Sequence, residues 1–332
     1  MPEEDAPGQA KACFDDIYDS PDPRAYFRTL GALDYEIPQF AQPAVKSVMA
    51  TLRDEAGRSP APLRVLDVCC SYGVNAALLR TDVTLAQMYD RYSSEVLATL
   101  TPTEVAEQDA PFYAGRRTAT AWVAGLDVAQ NAIDYACRVG LLDQGWAEDL
   151  EAADPSPGLA DELTRVDLII TTGGVGYITD RTFDRLLRPE RDGRGPWVLA
   201  MVLRQFPYDD IAATLDKHGL TTEKLEGVTF PQRRFASVEE RDGALRGIVA
   251  RGLDPTGLEA DGRYHAELYL SRPADDVDRL SLHEVLHRPA GSGVRQEDEA
   301  GRQAFGPRGP SLRRIPGAVD GRDIQQAVHH DT

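Results

Sequence analysis

The chain has 332 residues and a formal net charge of −18 at neutral pH. This charge disfavours nucleic acid as a partner, because phosphate neutralisation requires clustered Lys and Arg. The sequence contains no uninterrupted apolar run of about 18 residues, so it predicts no membrane span. The N-terminus is acidic and no hydrophobic stretch follows it, so we predict no signal peptide and a cytoplasmic protein.

Cysteine and histidine are both rare. The four cysteines, Cys13, Cys69, Cys70 and Cys137, include no C-x-x-C pair. The six histidines do not stand at zinc-ligand spacing from the cysteines. A reduced compartment fits this usage, and we expect no bound metal.

The first 60 residues precede the main α/β pattern and should form a helical extension. Their second half has a helical period, with an apolar face formed by Val45, Val48, Met49 and Leu52. Pro43 is compatible with the first turn of that helix, where its missing N–H costs nothing. Residues 58–62, which are rich in Pro and Ser, then lead into the first strand.

Residues 63–80 contain a strand, a turn of small residues and a helix in direct succession. Val65, Leu66 and Val68 form a short apolar run that is typical of a buried strand. Residues 69–73 supply the turn, and a helical pattern begins at Val74. This succession predicts the opening of a nucleotide-binding α/β unit.

Residues 82–118 interrupt the expected alternation of strands and helices. Apolar and aromatic side chains recur there at helical spacing, and Thr103 is a candidate N-cap of a second short helix. We interpret this segment as a helical insertion. It could cover a substrate or form a contact in a homodimer, and the sequence does not decide between them.

Strands and helices alternate from residue 120 to residue 273. Strands are predicted at 120–127, 166–171, 196–203 and 263–271, with weaker candidates at 145–150 and 220–228. The last strand alternates in the manner of an antiparallel closing strand. The alternation implies a doubly wound, mostly parallel sheet. Residues 274–332 are polar and rich in Gly, Pro and Arg, and we predict a largely disordered tail there, with the disorder mostly over 290–332 and a candidate short helix at 280–287.

The turn at residues 69–73 differs from a dinucleotide site. A dehydrogenase needs G-x-G-x-x-G, whereas only Gly73 is a glycine in this turn. Asp67, at the strand end, would repel a pyrophosphate but attract an ammonium or sulfonium. Asp127 ends the next strand, where a carboxylate can accept hydrogen bonds from both ribose hydroxyls. Asp67 and Asp127 together therefore predict a ligand that is cationic at one end and carries a ribose.

The order Val65-Leu-Asp-Val-Cys-Cys-Ser-Tyr-Gly73 resembles the opening motif of class I S-adenosylmethionine-dependent methyltransferases. The resemblance extends over roughly residues 62–273 and implies a seven-stranded Rossmann-like sheet with an antiparallel last strand. It implies S-adenosyl-L-methionine as cofactor, bound by Asp67, Cys69, Ser71, Gly73, Asp127, Val128, Asp149, Leu150 and Thr172. Cys69 and Ser71 stand where the family has glycine. Their backbones must therefore keep negative φ or accept strain.

Five tyrosines are candidates for substrate contact. Tyr18 and Tyr26 lie where the resembling family often places a lid, and Tyr177 follows a Gly-rich loop at the cleft mouth. Tyr89 and Tyr92 lie in the insertion, where their helical spacing is also typical of core packing. Tyr177 and His265 are the candidate catalytic residues, and the sequence assigns no general base.

These features predict methyl transfer to an N, O or S nucleophile of a small molecule. Two alternatives remain open. The same fold could use the cofactor for another alkyl transfer, or it could be a degenerate, non-catalytic partner subunit. The expected organisation is an extension over 1–60, a methyltransferase domain over 61–273 with the insertion at 82–118, and a tail over 274–332.

Overall fold

The computed structural model describes residues 15–55, 61–119, 121–190, 194–288 and 312–314. A twisted sheet forms its centre, and its strands lie in the spatial order β3-β2-β1-β4-β5-β8-β6. The first five strands pair in parallel, whereas β8 is antiparallel to both β5 and β6. The seven strands are β1 Arg64–Val68, β2 Trp122–Asp127, β3 Gln144–Ala147, β4 Leu168–Thr172, β5 Trp197–Leu203, β6 Leu220–Leu225 and β8 Arg263–Pro273. This arrangement confirms the predicted Rossmann-like methyltransferase fold.

Helices cover both faces of this sheet. On β1, the side chain of Val65 enters one apolar cluster and that of Leu66 enters the cluster on the opposite face. Both side chains are fully buried, as expected for a strand of a doubly wound sheet. The helices are α1 Asp15–Tyr18, α2 Arg24–Ala32, α3 Ile37–Glu55, α4 Val74–Arg80, α5 Leu85–Tyr92, α6 Glu95–Ala98, α7 Pro102–Ala114, α8 Gln130–Arg138, α9 Pro157–Leu163, α10 Asp180–Leu187, α11 Asp209–Lys217, α12 Val238–Ala250, α13 Ala274–Arg279 and α14 Leu282–Leu286. A 3₁₀ turn spans Glu259–Asp261.

Two additional strands extend the sheet. Strand β7, Phe230–Arg234, pairs antiparallel with the start of β8, and β9, Leu312–Arg314, pairs antiparallel with β6. The sequence analysis did not predict β7, because Phe-Pro-Gln-Arg-Arg has neither alternation nor a long apolar run. Helices α13 and α14 and strand β9 all lie within residues 274–332, the tail that was predicted to be largely disordered. The neighbouring tail residues lie outside the described part of the chain.

The insertion is helical, as predicted, and it packs on the N-terminal segment. The ring of Phe27 stacks on that of Tyr92 at a centroid distance of 4.5 Å. The guanidinium of Arg24 donates to the carbonyls of Leu97 and Leu100 at 2.6 and 2.9 Å. Together, the N-terminal segment and the insertion form one layer beside the sheet.

Two helix boundaries differ from the prediction. The N-cap of α7 is Thr101, whose hydroxyl accepts from the Glu104 N–H in a capping box, so Thr103 is the second residue of the helix. Helix α3 begins at Ile37, so Pro43 lies inside the helix instead of in its first turn. Within the described residues, no helix has the length and apolar character needed to span a membrane.

Candidate functional site

A cavity of about 480 Å³ opens at the carboxyl ends of β1, β2 and β4. Ligands of doubly wound sheets bind at this edge, and the volume falls in the range of small-molecule sites. Its wall includes eight of the predicted site residues of the cofactor and the substrate mouth, namely Cys69, Ser71, Asp127, Val128, Asp149, Leu150, Thr172 and Tyr177. Tyr18 and Tyr26 also line it, so the structure brings most of the predicted residues together.

The turn after β1 is strained. Cys69 has φ of 60° and Ser71 has φ of 48°, in the left-handed region that glycine adopts without penalty. Cys69 and Ser71 therefore have strained, positive φ angles, and they do not keep the negative φ that was the other alternative. This shape directs the Ser71 N–H at the carboxylate of Asp127, 2.8 Å away.

We expect Ser71→Gly to stabilise the protein by about 0.5–1 kcal/mol, since relief of left-handed strain outweighs the added backbone entropy. The hydroxyl has no hydrogen-bond partner among the described residues, so its loss removes no hydrogen bond there. Urea unfolding would measure the change. Ser93→Gly is the control, because Ser93 has φ of −92° and should lose stability. Destabilisation by Ser71→Gly would contradict the strain.

Asp127 presents a fixed carboxylate to the cavity. Its Oδ2 accepts from the Ser71 N–H and its Oδ1 accepts from the Ala129 N–H at 3.1 Å. Burial raises the pKa of Asp127, although these backbone hydrogen bonds oppose the shift. Each carboxylate oxygen can accept a second hydrogen bond. The arrangement can therefore receive a pair of neighbouring hydroxyl groups.

Asp67 is connected to the cavity wall by hydrogen bonds from Asn75. Asp67 is fully buried and does not line the cavity, whereas Asn75 does. The Asn75 amide donates to both oxygens of Asp67, at 3.0 and 3.2 Å, and to the Thr172 hydroxyl at 3.1 Å. Burial, assisted by the charge of Asp127, raises the pKa of Asp67 to about 7 although the Asn75 bond opposes it. A cation bound nearby would favour the ionised form.

The end of β3 supplies the opposite rim of the cavity. Asp149 is exposed there, and its carboxylate accepts from the Glu151 N–H at 2.8 Å. Leu150 is buried, whereas the side chain of Val128 on the neighbouring strand end is 69% exposed. An exposed aliphatic side chain on a cavity wall provides a flat apolar contact for a ring.

The other end of the cavity is aromatic. Tyr18, Tyr26 and Tyr35 line it, with Tyr177 at the mouth. The rings of Tyr18 and Tyr26 pack edge to face at 5.6 Å. Burial raises the pKa of the Tyr18 hydroxyl, Tyr35 and Tyr177 raise it further, and Arg233 opposes the shift. The side chains of Tyr35, Tyr177 and Arg233 therefore all lie close to the Tyr18 hydroxyl.

The N-terminal segment covers part of the cavity and is anchored on the domain. The hydroxyl of Tyr72 donates to the carbonyls of Ile17 and Ser20 at 3.1 and 2.8 Å. The carboxylate of Asp19, which lines the cavity, accepts from the Asn131 N–H at 2.7 Å. This segment therefore forms part of the cavity wall, and its role as a lid remains a prediction.

Four predicted residues do not line the cavity, besides Asp67. Gly73 caps α4, and a Cβ there would lie 3.2 Å from Cβ of Ala136. Tyr92 is fully buried and bonds to Asp109, and Tyr89 donates to the Tyr35 carbonyl at 2.6 Å. His265 bonds to Thr229, and burial lowers its pKa to about 4. Tyr89, Tyr92 and His265 therefore lie outside the cavity wall.

The wall residues that sequence reasoning missed include Asn75, Tyr35, Gln232 and Arg233. Asn75 is the second residue of the helix that follows the strained turn, which is a usable signal. Gln232 and Arg233 lie on β7, and their sequence context gave no sign of the strand. Among the described residues, no group of three His, Cys, Asp or Glu side chains could hold a metal ion.

No family model and no curated protein matches the chain. Similar solved structures include the TehB-like SAM-dependent methyltransferase of Corynebacterium glutamicum, with 15% identity over 67% of this chain and 86% of that one, and a TM-score of 0.32. Magnesium protoporphyrin IX methyltransferase of Synechocystis, with bound SAM, has 16% identity over 70% and 79%, and a TM-score of 0.33. DesVI of Streptomyces venezuelae has 14% identity over 80% and 100%, and a TM-score of 0.34. Such values decide nothing about activity or substrate.

Proposed function

We propose that this protein binds S-adenosyl-L-methionine and transfers its methyl group to an N, O or S nucleophile of a small molecule. The observation that carries the proposal is the Asp127 carboxylate, held by two backbone N–H groups on the cavity wall at the end of β2. A carboxylate at this place suits two ribose hydroxyls.

The rest of the wall fits the same cofactor. Ser71 is 6% exposed and its hydroxyl lacks a partner among the described residues, which leaves a buried polar group for a ligand to satisfy. Val128 and Leu150 offer apolar surface to a purine, and Asp149 can accept from an exocyclic amino group. The Asp67–Asn75 pair adds negative charge near the cationic end.

The protein's own contribution would be binding, orientation and exclusion of water. When bound, the cofactor supplies an electrophilic methyl group. Asp127 and the strained turn hold the ribose, and the tyrosines of the N-terminal segment shield the reacting end. Positioning two reactants in a dry site can account for most of the acceleration.

We expect Asp127→Asn to weaken S-adenosylmethionine binding by about ten- to a hundredfold, because hydrogen bonds to a charged acceptor contribute about 1.5–3 kcal/mol. Isothermal titration with S-adenosylmethionine and S-adenosylhomocysteine would measure the affinities. Asp134→Asn is the matched control, since Asp134 is an exposed aspartate on α8 outside the cavity wall. Equal binding by wild type and Asp127→Asn would contradict the site, and no binding by wild type would contradict the function.

The two alternatives give different results in the same experiments. A protein that uses the cofactor for another alkyl transfer would bind it and release a product other than S-adenosylhomocysteine. A non-catalytic partner subunit would turn over no acceptor. The cytoplasmic location, the homodimer and the domain boundaries remain predictions.

A further inference from the structure

The aromatic end of the cavity lies beside a strand outside the seven-stranded order. The Glu36 N–H donates to the carbonyl of Gln232 at 2.7 Å, and the Arg234 N–H donates to that of Leu33 at 2.7 Å. These bonds join β7 to the N-terminal segment that carries Tyr18, Tyr26 and Tyr35. The two segments together enclose the space next to Thr172 and Gly173.

The charges on the cavity wall are mostly negative. Five carboxylates line it, Asp19, Asp127, Glu148, Asp149 and Glu151, and the cationic side chain among the described lining residues is Arg233. Arg233 donates to Glu240 twice, at 2.6 and 3.0 Å, and both side chains are almost completely buried. Its charge is therefore compensated within the protein. A carboxylate or phosphate acceptor would meet a wall that repels it.

Gln232 supplies a neutral polar group at this end. It is 2% exposed, and its Oε1 has no hydrogen-bond partner among the described residues. Its Nε2 lies over Gly173, 2.5 Å from the place where a Cβ would stand. A half-turn of the carboxamide exchanges these two atoms without moving the rest of the side chain. Gln232 can therefore turn an acceptor oxygen towards a ligand.

We propose that the acceptor is a primary or secondary amine, which packs among Tyr18, Tyr35 and Tyr177 and donates an N–H to Oε1 of Gln232. This inference rests on the proposed function and assigns its substrate class. A neutral amine attacks with its lone pair and still bears an N–H while it does so. Negative charge and tyrosine faces both favour the positive charge that develops on nitrogen.

The amine must first lose the proton of its ammonium form to water, and the step then balances without a residue that takes a proton during attack. The nitrogen lone pair forms the new N–C bond, and the C–S bond breaks with its electron pair going to sulfur. The ammonium product then loses a proton to water. An alcohol would need a base during attack, and the buried hydroxyls of Tyr18, Tyr26 and Tyr35 have raised pKa values, so they retain their own protons at neutral pH. The hydrogen bond to Gln232 strengthens as nitrogen becomes cationic.

The test uses three probes with the same aromatic ring, 2-phenylethylamine, 2-phenylethanol and 3-phenylpropanoate, together with tyramine, tryptamine and their N-methyl derivatives. Mass spectrometry would detect methylated product, and calorimetry would measure binding of each probe to the protein saturated with S-adenosylhomocysteine. We expect binding and methylation of amines only. Methylation of the alcohol or the carboxylate, or failure of every amine while S-adenosylmethionine binds, would overturn the assignment of the acceptor.

Gln232→Met removes the carboxamide at nearly constant length. We expect kcat/KM for the amine to fall by about tenfold or more, as for loss of one charge-assisted hydrogen bond, with the Kd of S-adenosylmethionine essentially unchanged. Gln205→Met is the matched control, because Gln205 is also a buried glutamine whose amide has no partner among the described residues, but it lies outside the cavity wall.

Three results separate the failures of the two proposals. Unchanged kcat/KM in Gln232→Met overturns the role of Gln232, and a weakened Kd for S-adenosylmethionine makes Gln232 a cofactor contact instead. Wild type that binds no S-adenosylmethionine overturns the proposed function, and the amine assignment with it. The comparison of probes on wild type holds even if the variant does not fold.

Discussion

Asp67→Asn should remove a large part of the pH dependence of stability in the ligand-free protein. Asp67 is fully buried, and its pKa rises from 3.8 to about 7 on folding. The folded state therefore holds this proton more tightly than the unfolded state. Its contribution to stability is complete below about pH 4 and is lost as the pH rises to about 7.

The expected magnitude follows from the shift. Three pKa units correspond to about 4 kcal/mol, which sets the scale of the loss in wild type between pH 4 and pH 8. Asparagine has the same shape without the charge. Asp67→Asn should match wild type below about pH 4 and exceed its free energy of unfolding at pH 8 by a few kcal/mol.

Urea titrations of both proteins at several pH values would measure this difference. Asp134→Asn is the control, since Asp134 is exposed on α8 and its replacement should leave the pH curve of wild type unchanged. Parallel curves for wild type and Asp67→Asn would show that Asp67 does not titrate in this range. At pH 8 the ionised carboxylate of Asp67 should favour a cationic ligand. Asp67→Asn should therefore bind S-adenosylmethionine more weakly than wild type, although its ligand-free form is more stable.

The proposed cofactor end of the cavity was predictable because its signals are local. A short apolar run that ends in Asp67, a small-residue turn and a second strand that ends in Asp127 all occur within contiguous segments. Parallel strands bring their carboxyl ends to one edge, so their order along the chain is enough to collect these residues. The strain at Cys69 and Ser71 was one of two foreseen alternatives, and only the backbone angles could decide between them.

The acceptor end was not predictable in the same way. Gln232 reaches the cavity because β7 pairs with β8 and bonds to the N-terminal segment, which are contacts between distant parts of the chain. Tyr92 is the opposite case, a predicted site residue that long-range contacts place away from the cavity. Its spacing suited a substrate contact as well as packing, and its long-range partners Phe27 and Asp109 place it in the packed layer beside the sheet.

Arg233→Met should destabilise the protein by about 3–5 kcal/mol, because it leaves the Glu240 carboxylate buried without its cation. Glu240 is 5% exposed, and it also accepts from the Ala236 N–H at 2.6 Å. The Tyr264 hydroxyl also hydrogen-bonds to Glu240, but these neutral donors cannot replace a guanidinium with two hydrogen bonds. Arg241→Met is the control. Arg241 lies on α12, the helix that carries Glu240, and its exposed pair with Asp242 should contribute little to the free energy of unfolding.

The double variant Arg233→Met/Glu240→Gln tests whether the loss comes from the uncompensated charge. We expect it to recover most of the stability, since a buried ion pair replaced as a unit often costs little. Urea unfolding of wild type, both single variants and the double variant gives the coupling free energy. Additive losses would show that the two charges act independently.

In Glu240→Gln, which leaves Arg233 uncompensated beside the tyrosines, 3-phenylpropanoate should bind more tightly than it does to wild type.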